Sequence, residues 1–109
     1  MLGNNLEFAT AIRTTFIWAN LGDAVFNQVD LSFANFSNAT LRKSYFIKAI
    51  LPGANFSEAD LNNASFDGVS FSQVNIINAD FKDAKFSNIR NFSDARGIAQ
   101  AKNLNPPTN

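Results

Sequence analysis

Ala54-Asn55-Phe56-Ser57-Glu58 runs directly into Ala59-Asp60-Leu61-Asn62-Asn63, and the two blocks share one plan: a small residue, Asn or Asp, a large hydrophobe, then two polar positions. Carried outward in steps of five, the hydrophobe recurs from Leu6 to Phe86. All but Ala11 of these seventeen sites are Leu, Phe or Ile, and the sites two residues before them are Ala at eleven of seventeen, with Val29, Val69 and Val74 among the rest. A helix repeats its face about every 3.6 residues and a strand about every 2, so a period of five is an amphipathic version of neither. A fixed short period marks identical units that cannot bury their apolar side alone and must stack on their neighbours, as in a solenoid.

These blocks, together with Ala34-Asn35-Phe36-Ser37-Asn38 and Ala79-Asp80-Phe81-Lys82-Asp83, resemble the pentapeptide-repeat family over about residues 4–88. The resemblance implies an all-β solenoid, a right-handed quadrilateral parallel β-helix in which four pentapeptides make one square coil, with about four coils here. It also implies that the hydrophobe and the small residue two before it point inward, while the other three positions face water and form the corners. The side chains suit that scheme. Small residues at one inward site leave room for a large ring at the other, so the interior fills without voids. Asn, Asp and Ser favour turns and bond their own backbone. Gly22, Gly53 and Gly68 fall at corners, where a positive φ is expected.

With 109 residues and 46% apolar content, the chain has material for one domain with a narrow core. Its formal net charge is +0 and its pI about 6.1, which gives no overall electrostatic pull toward nucleic acid or an anionic membrane surface. Cys is absent, which removes disulfides, thiolate chemistry and Cys-ligated zinc together. No run approaches the ~20 apolar residues of a membrane-spanning helix, and Met1 to Thr10 lacks the plan of a signal peptide. A soluble protein without direct membrane insertion is expected.

Residues twenty apart should lie in vertical stacks, about 4.8 Å apart if the coils hydrogen-bond as strands do. Four interior stacks follow: Leu6, Phe26, Phe46, Phe66 and Phe86; Ala11, Leu31, Leu51 and Phe71; Phe16, Phe36, Phe56 and Ile76; Leu21, Leu41, Leu61 and Phe81. Such ladders of rings read as packed core, not as a cofactor site. At the C-terminal end the hydrophobe arrives one residue late, at Phe92 instead of Asn91. Ser93 and Asp94 then offer N-caps for a short helical stretch, Ala95 to Leu104, ended by Asn105-Pro106-Pro107. The expected organisation is a β-helix over 1–92, a helical cap over 93–104 that covers the unpaired edge of the last coil, and a flexible tail over 105–109. The first coil is irregular, with Asn4, Ala11 and Thr14 at inward sites. A longer native chain, another subunit or Met1 to Asn5 folded back would each cover it, and the residues do not choose.

Chemistry is sparse. With no His and no Cys, the commonest general base and the commonest activated nucleophile are missing, and the serines sit at repeat positions where turn-making explains them. No catalytic residues, cofactor or metal site are assigned. Asp60 and Asp80 stack one coil apart, but Arg42, Lys43 and Lys82 share their side, which reads as charge compensation in preference to a Ca²⁺ site. Asn35, Asn55 and Asn75 read as an amide ladder between coils. Isolated Gly53 and Gly68 make no phosphate loop.

What remains is surface. Phe8, Ile12, Ile17, Trp18, Phe33, Tyr45, Ile47 and Ile50 occupy outward positions that the repeat fills with polar residues, and Phe33 falls one coil above Arg13. Clustered Trp, Phe and Arg have the makeup of a protein interface, so these residues are the candidate partner-binding site, for a protein partner or for self-association through the N-terminal coil. The expected function is a non-catalytic interaction module or a structural subunit of a larger assembly. The family offers an alternative, a DNA mimic that binds a type II topoisomerase (gyrase). That role calls for a long acidic rod, because the enzyme's groove is built for closely spaced phosphates, and a neutral chain of this length is a poor match. The family's abundance in cyanobacteria and plastids implies a cytoplasmic or plastid, thylakoid-associated setting, which the residues themselves do not specify.

Overall fold

Each five-residue unit makes one tight corner and one extended step. A computed structural model describes residues 8–107. In the unit Phe16-Ile17-Trp18-Ala19, the Ala19 N–H donates to the Phe16 carbonyl at 3.0 Å, and only the third residue, Trp18, has a positive φ, 62°. That combination is a type II turn. The same third position is left-handed in all seventeen units from Phe8 to Asn88. Gly53 and Gly68 stand there at φ 70° and 69°, whereas Gly22 occupies the second turn position and has no positive φ, contrary to the expectation for it.

The extended step carries the pairing. From Thr10↔Asp30 to Asp60↔Asp80, the residue before the hydrophobe forms a parallel bridge with its equivalent twenty residues on at every such position but Ile50. Four such positions fall within each twenty residues, so the chain has four walls. The first wall carries Val25, Tyr45, Ser65 and Lys85, and there the bridges lengthen into three strands, β1 (Tyr45–Ile47), β2 (Ser65–Asp67) and β3 (Lys85–Ser87), paired in parallel in the order β1-β2-β3. The second wall carries Thr10, Asp30, Ile50, Ser70 and Arg90, the third Thr15, Asn35, Asn55, Asn75 and Arg96, and the fourth Asn20, Thr40, Asp60, Asp80 and Lys102.

Inside the walls the expected stacks are present, with Leu6 lying outside the described residues. Phe16, Phe36 and Phe56 lie parallel at centroid spacings of 4.8 and 4.9 Å, and Phe26, Phe46 and Phe66 at 5.1 and 5.0 Å. The spacing follows the strand separation, so backbone pairing sets ring stacking. The two stacks meet edge to face, as Phe36 does with Phe46 at 6.0 Å and 88°, a geometry favoured by the ring quadrupoles. Ala24, Ala34, Ala54 and Ala64 are fully buried beside them. Ser44 stands where Ala is usual, and its hydroxyl donates to the Leu41 carbonyl at 2.6 Å.

The C-terminal expectation needs correction. No α-helix forms over Ala95 to Leu104; the described residues hold two single-turn 3₁₀ segments, Phe92–Asp94 and Ile98–Gln100. The chain keeps climbing the walls instead, with bridges Ser70↔Arg90, Asn75↔Arg96 and Asp80↔Lys102. Their offsets grow from twenty to twenty-two residues because the unit is now six residues long: Ile89-Arg90-Asn91-Phe92-Ser93-Asp94, Ala95-Arg96-Gly97-Ile98-Ala99-Gln100, then Ala101-Lys102-Asn103-Leu104. The inserted residues Asn91, Gly97 and Asn103 are all left-handed. Phe92 is buried, and Ile98, Ala101 and Leu104 pack partly against the core. Periodic apolar residues three apart mimic a helix in sequence, but the bridging cations between them fix an extended backbone.

Candidate interaction surface

Left-handed backbone costs an L-residue roughly 1–2 kcal/mol, least for Asn and Asp, whose side chains bond locally. Most corners carry polar residues or Gly. The exceptions are the three aromatics Phe8, Trp18 and Phe33, at φ 67°, 62° and 58°, all in the N-terminal part of the chain. Exposure adds a second cost: Phe8 and Trp18 are 71% and 75% exposed and Phe33 is 49% exposed. Neither the turn nor the core accounts for them.

Phe33 is the best held of the three. The Arg13 guanidinium lies 4.8 Å from its ring centroid in a cation–π contact. On the other side, a Cβ at Gly53 would meet the Phe33 ring at 2.5 Å, so only glycine lets the ring lie against that corner. The column Arg13, Phe33, Gly53 is therefore a fixed aromatic edge. Arg13 and Gly53 belong to the site, and their spacing of twenty residues from Phe33 is the signal that finds them.

The eight expected site residues do not share one patch. Phe8 and Ile47 lie at the corner between the first and second walls, Ile50 on the second wall, and Ile12 and Phe33 at its far corner. Ile17 and Trp18 lie one wall further round, beyond Thr15, Asn35 and Asn55, and Tyr45 lies on the first wall. Ile47 is half-buried, with its N–H donating to Asn27 Oδ1 at 3.0 Å; the other seven are among the exposed large hydrophobes. The second wall with its two corners is thus the larger apolar group, with Phe33 at its fixed edge.

The polar columns are spent on the fold. The Oδ1 atoms of Asn35, Asn55 and Asn75 accept from the N–H two residues on, at 2.9, 2.8 and 3.0 Å, so these bonds stay within one coil, where a ladder between coils was expected. On the fourth wall Arg42 Nε donates to Asp60 Oδ2, and this hydrogen bond, then the charge of Asp60, raises the Arg42 pKa. With its amide nitrogen facing the carboxylates, Asn62 bridges Asp60 and Asp80 at 3.1 and 3.2 Å, and Asn103 donates to Asp80 Oδ1 at 2.8 Å. Among the described residues there is no pocket and no group of three or more His, Cys, Asp or Glu that could hold a metal. No helix in them is long and apolar enough to cross a membrane.

Left-handed corners every five residues, walls paired at twenty and an interior of Phe, Leu and Ala define a parallel β-solenoid. The chain belongs to the pentapeptide-repeat family, described as pentapeptide repeats (8 copies), which it matches over residues 12–46 and 54–90. A pentapeptide repeat protein from the thylakoid lumen of Arabidopsis thaliana is similar in structure, with 27% identity and a TM-score of 0.61, over 98% of this chain and 70% of that one. Another, Rfr23 from the cyanobacterium Cyanothece 51142, is similar at 20% identity and a TM-score of 0.59, over 89% of this chain and 63% of that one. The chain thus spans less than two thirds of the Rfr23 chain. No curated protein matches it.

Proposed function

We propose that this protein is a non-catalytic interaction module, or a structural subunit of a larger assembly, in which a right-handed four-sided β-helix of about four coils presents rigid walls to a protein partner or a second copy. Binding runs through the N-terminal coils, centred on the second wall and the Phe33 edge. The observation that carries this is the placing of Phe8, Trp18 and Phe33 at left-handed, exposed corners. Each is unfavourable for the turn and for hydration, and a partner that buries the ring reverses the second cost. The family match supports it further: it lapses over 47–53, the stretch where Ile47, Ile50 and Pro52 stand in outward positions. Likeness to the thylakoid-lumen protein supports a photosynthetic setting, plastid or cyanobacterial.

The test uses the full chain, its mass in solution and affinity capture from the source cell, repeated with Phe33→Asn and Trp18→Asn. Asn suits the left-handed corner better than an aromatic ring, so both variants should keep or gain up to about 1 kcal/mol of stability. Losing a central anchor should weaken the complex by about 2 kcal/mol or more. A wild-type chain that stays a lone monomer without a specific partner, or variants that hold the complex at full affinity, would refute the reading; variants that unfold would show these rings to be structural.

A further inference from the structure

We infer that the C-terminal end of the column is a docking surface for an anionic lipid bilayer, met end-on. In the last coil every wall contributes one cation from its bridging position: Lys85, Arg90, Arg96 and Lys102. None of the fifteen earlier bridging residues, from Thr10 to Asp80, is basic. All four are exposed, and the one ion pair among the described residues, Arg42 with Asp60, involves none of them. Arg90 makes a long 3.3 Å bond to the neutral Gly68 carbonyl, which leaves its charge uncompensated.

The zero net charge therefore hides a separation. Residues 82–107 hold five cations, the ring and Lys82, against Asp83 and Asp94, whereas residues 8–81 hold four cations against six carboxylates. The column is 30 Å long and 22 Å across, several Debye lengths from end to end at physiological salt, so the basic end acts largely on its own. The ring encloses an apolar centre of half-buried Phe86, Ile98, Ala101 and Leu104.

Geometry chooses the occupant. Cations spread over four walls favour no rotation about the column axis. A protein partner with a defined azimuth calls for a cluster on one wall, whereas a bilayer of anionic headgroups offers negative charge over the whole cross-section at any rotation. Cations around an apolar centre also suit the bilayer interface, where each contributes through the surface potential.

The full chain is sedimented with phosphatidylserine-containing phosphatidylcholine vesicles and with pure phosphatidylcholine vesicles, and offered polyglutamate and duplex DNA in parallel. Binding is expected to the anionic vesicles alone, and to be released by salt. Two pair variants remove opposite halves of the ring, Lys85→Gln with Arg90→Gln and Arg96→Gln with Lys102→Gln. A third, Lys43→Gln with Lys48→Gln, makes the same net change lower on the column. At about fivefold per cation, each ring pair should lose about 30-fold and the lower pair less than about threefold. Arg90→Lys with Arg96→Lys should retain binding. The inference is overturned by no sedimentation, by equal binding to neutral vesicles, by equal loss in all three pairs, or by loss in one ring pair only. It is equally overturned by loss in the lysine-for-arginine variant, or by polyglutamate or DNA binding in place of vesicles.

Discussion

Phe56→Ala is the most direct test of the inward register. Phe56 is fully buried, stacked 4.9 Å from Phe36 at 1° and set edge-on to Phe46 and Phe66 at 5.6 and 6.3 Å. Removing a buried Phe ring costs about 3–5 kcal/mol, and the spread reflects how far the site collapses. Here collapse is resisted from both sides: the Phe36 N–H is bonded to Asn55 and the Phe56 N–H to Asn75, at 2.7 and 2.8 Å, and these bonds hold the coils at a fixed rise. The cost should therefore lie at about 4–5 kcal/mol, a large part of a small domain's stability of about 5–15 kcal/mol. Denaturant unfolding would read it as a lower midpoint at unchanged slope. Ser57→Ala, on the outside, should cost under about 0.5 kcal/mol, and Phe16→Ala, at the half-buried end of the same stack, should fall between them. Equal midpoints for Phe56→Ala and Ser57→Ala would refute the register, and a Phe16→Ala loss as large as that of Phe56→Ala would show the N-terminal end of the stack to be closed.

Two further outcomes concern the last coil. Gly97→Ala should cost more than about 2 kcal/mol, because φ is 87° and a Cβ would strike the Ile77 backbone at 2.8 Å, while Gly68→Ala, facing only the Lys48 side chain at 3.3 Å, should cost about 1 kcal/mol. Thermal melts rank the two, and faster amide exchange at Ile76, whose N–H donates to Arg96, would place the Gly97→Ala damage. Truncation before Ser93 removes the Arg96 and Lys102 bridges and bares the edge beneath, so self-association that grows with concentration is expected in sedimentation; a truncated chain that stayed monomeric and folded would show that this coil protects nothing.

The core was legible because a side chain every fifth residue leaves one arrangement that buries them all, and the Phe and Leu stacks follow from arithmetic on the numbering. Which corner residue turns left-handed was not legible from composition: Gly22 directly follows its hydrophobe, Leu21, whereas Gly53 stands two after Leu51, and the structure shows that only the latter position is left-handed. The last coil was misread for a related reason. Phe92, Ile98 and Leu104 are six apart with small residues between, which satisfies a helical pattern as well as a six-residue coil, and the deciding term is the parallel bridge made by Arg90, Arg96 and Lys102, a long-range contact. Of the candidate surface, the residues were legible as departures from the repeat, but their division among corners required the wall assignment. Arg13 and Gly53 gained a role only through Phe33.

A repeat of this kind also changes what a single residue can reveal. Because every unit meets the same demands, inward size, a bridging backbone and a left-handed third corner, the fold is specified many times over and a local violation is tolerated at a local cost. Phe8, Trp18 and Phe33 together forgo roughly 3 kcal/mol or more against residues suited to their corners, taking about 1 kcal/mol each. That is a substantial share of the stability of a domain this size. Arg13, Gln28, Lys43, Lys48, Glu58 and Gln73 meet the same left-handed corner along the column, so what sets the three apart is an exposed ring, and such rings stand only in the first coils among the described corners. The four cations of the last coil are a violation of another kind, in charge and not in conformation, and they too sit at one end only. Two ends that differ in opposite chemical senses, aromatic at one and cationic at the other, are what a spacer joining the two proposed surfaces would require.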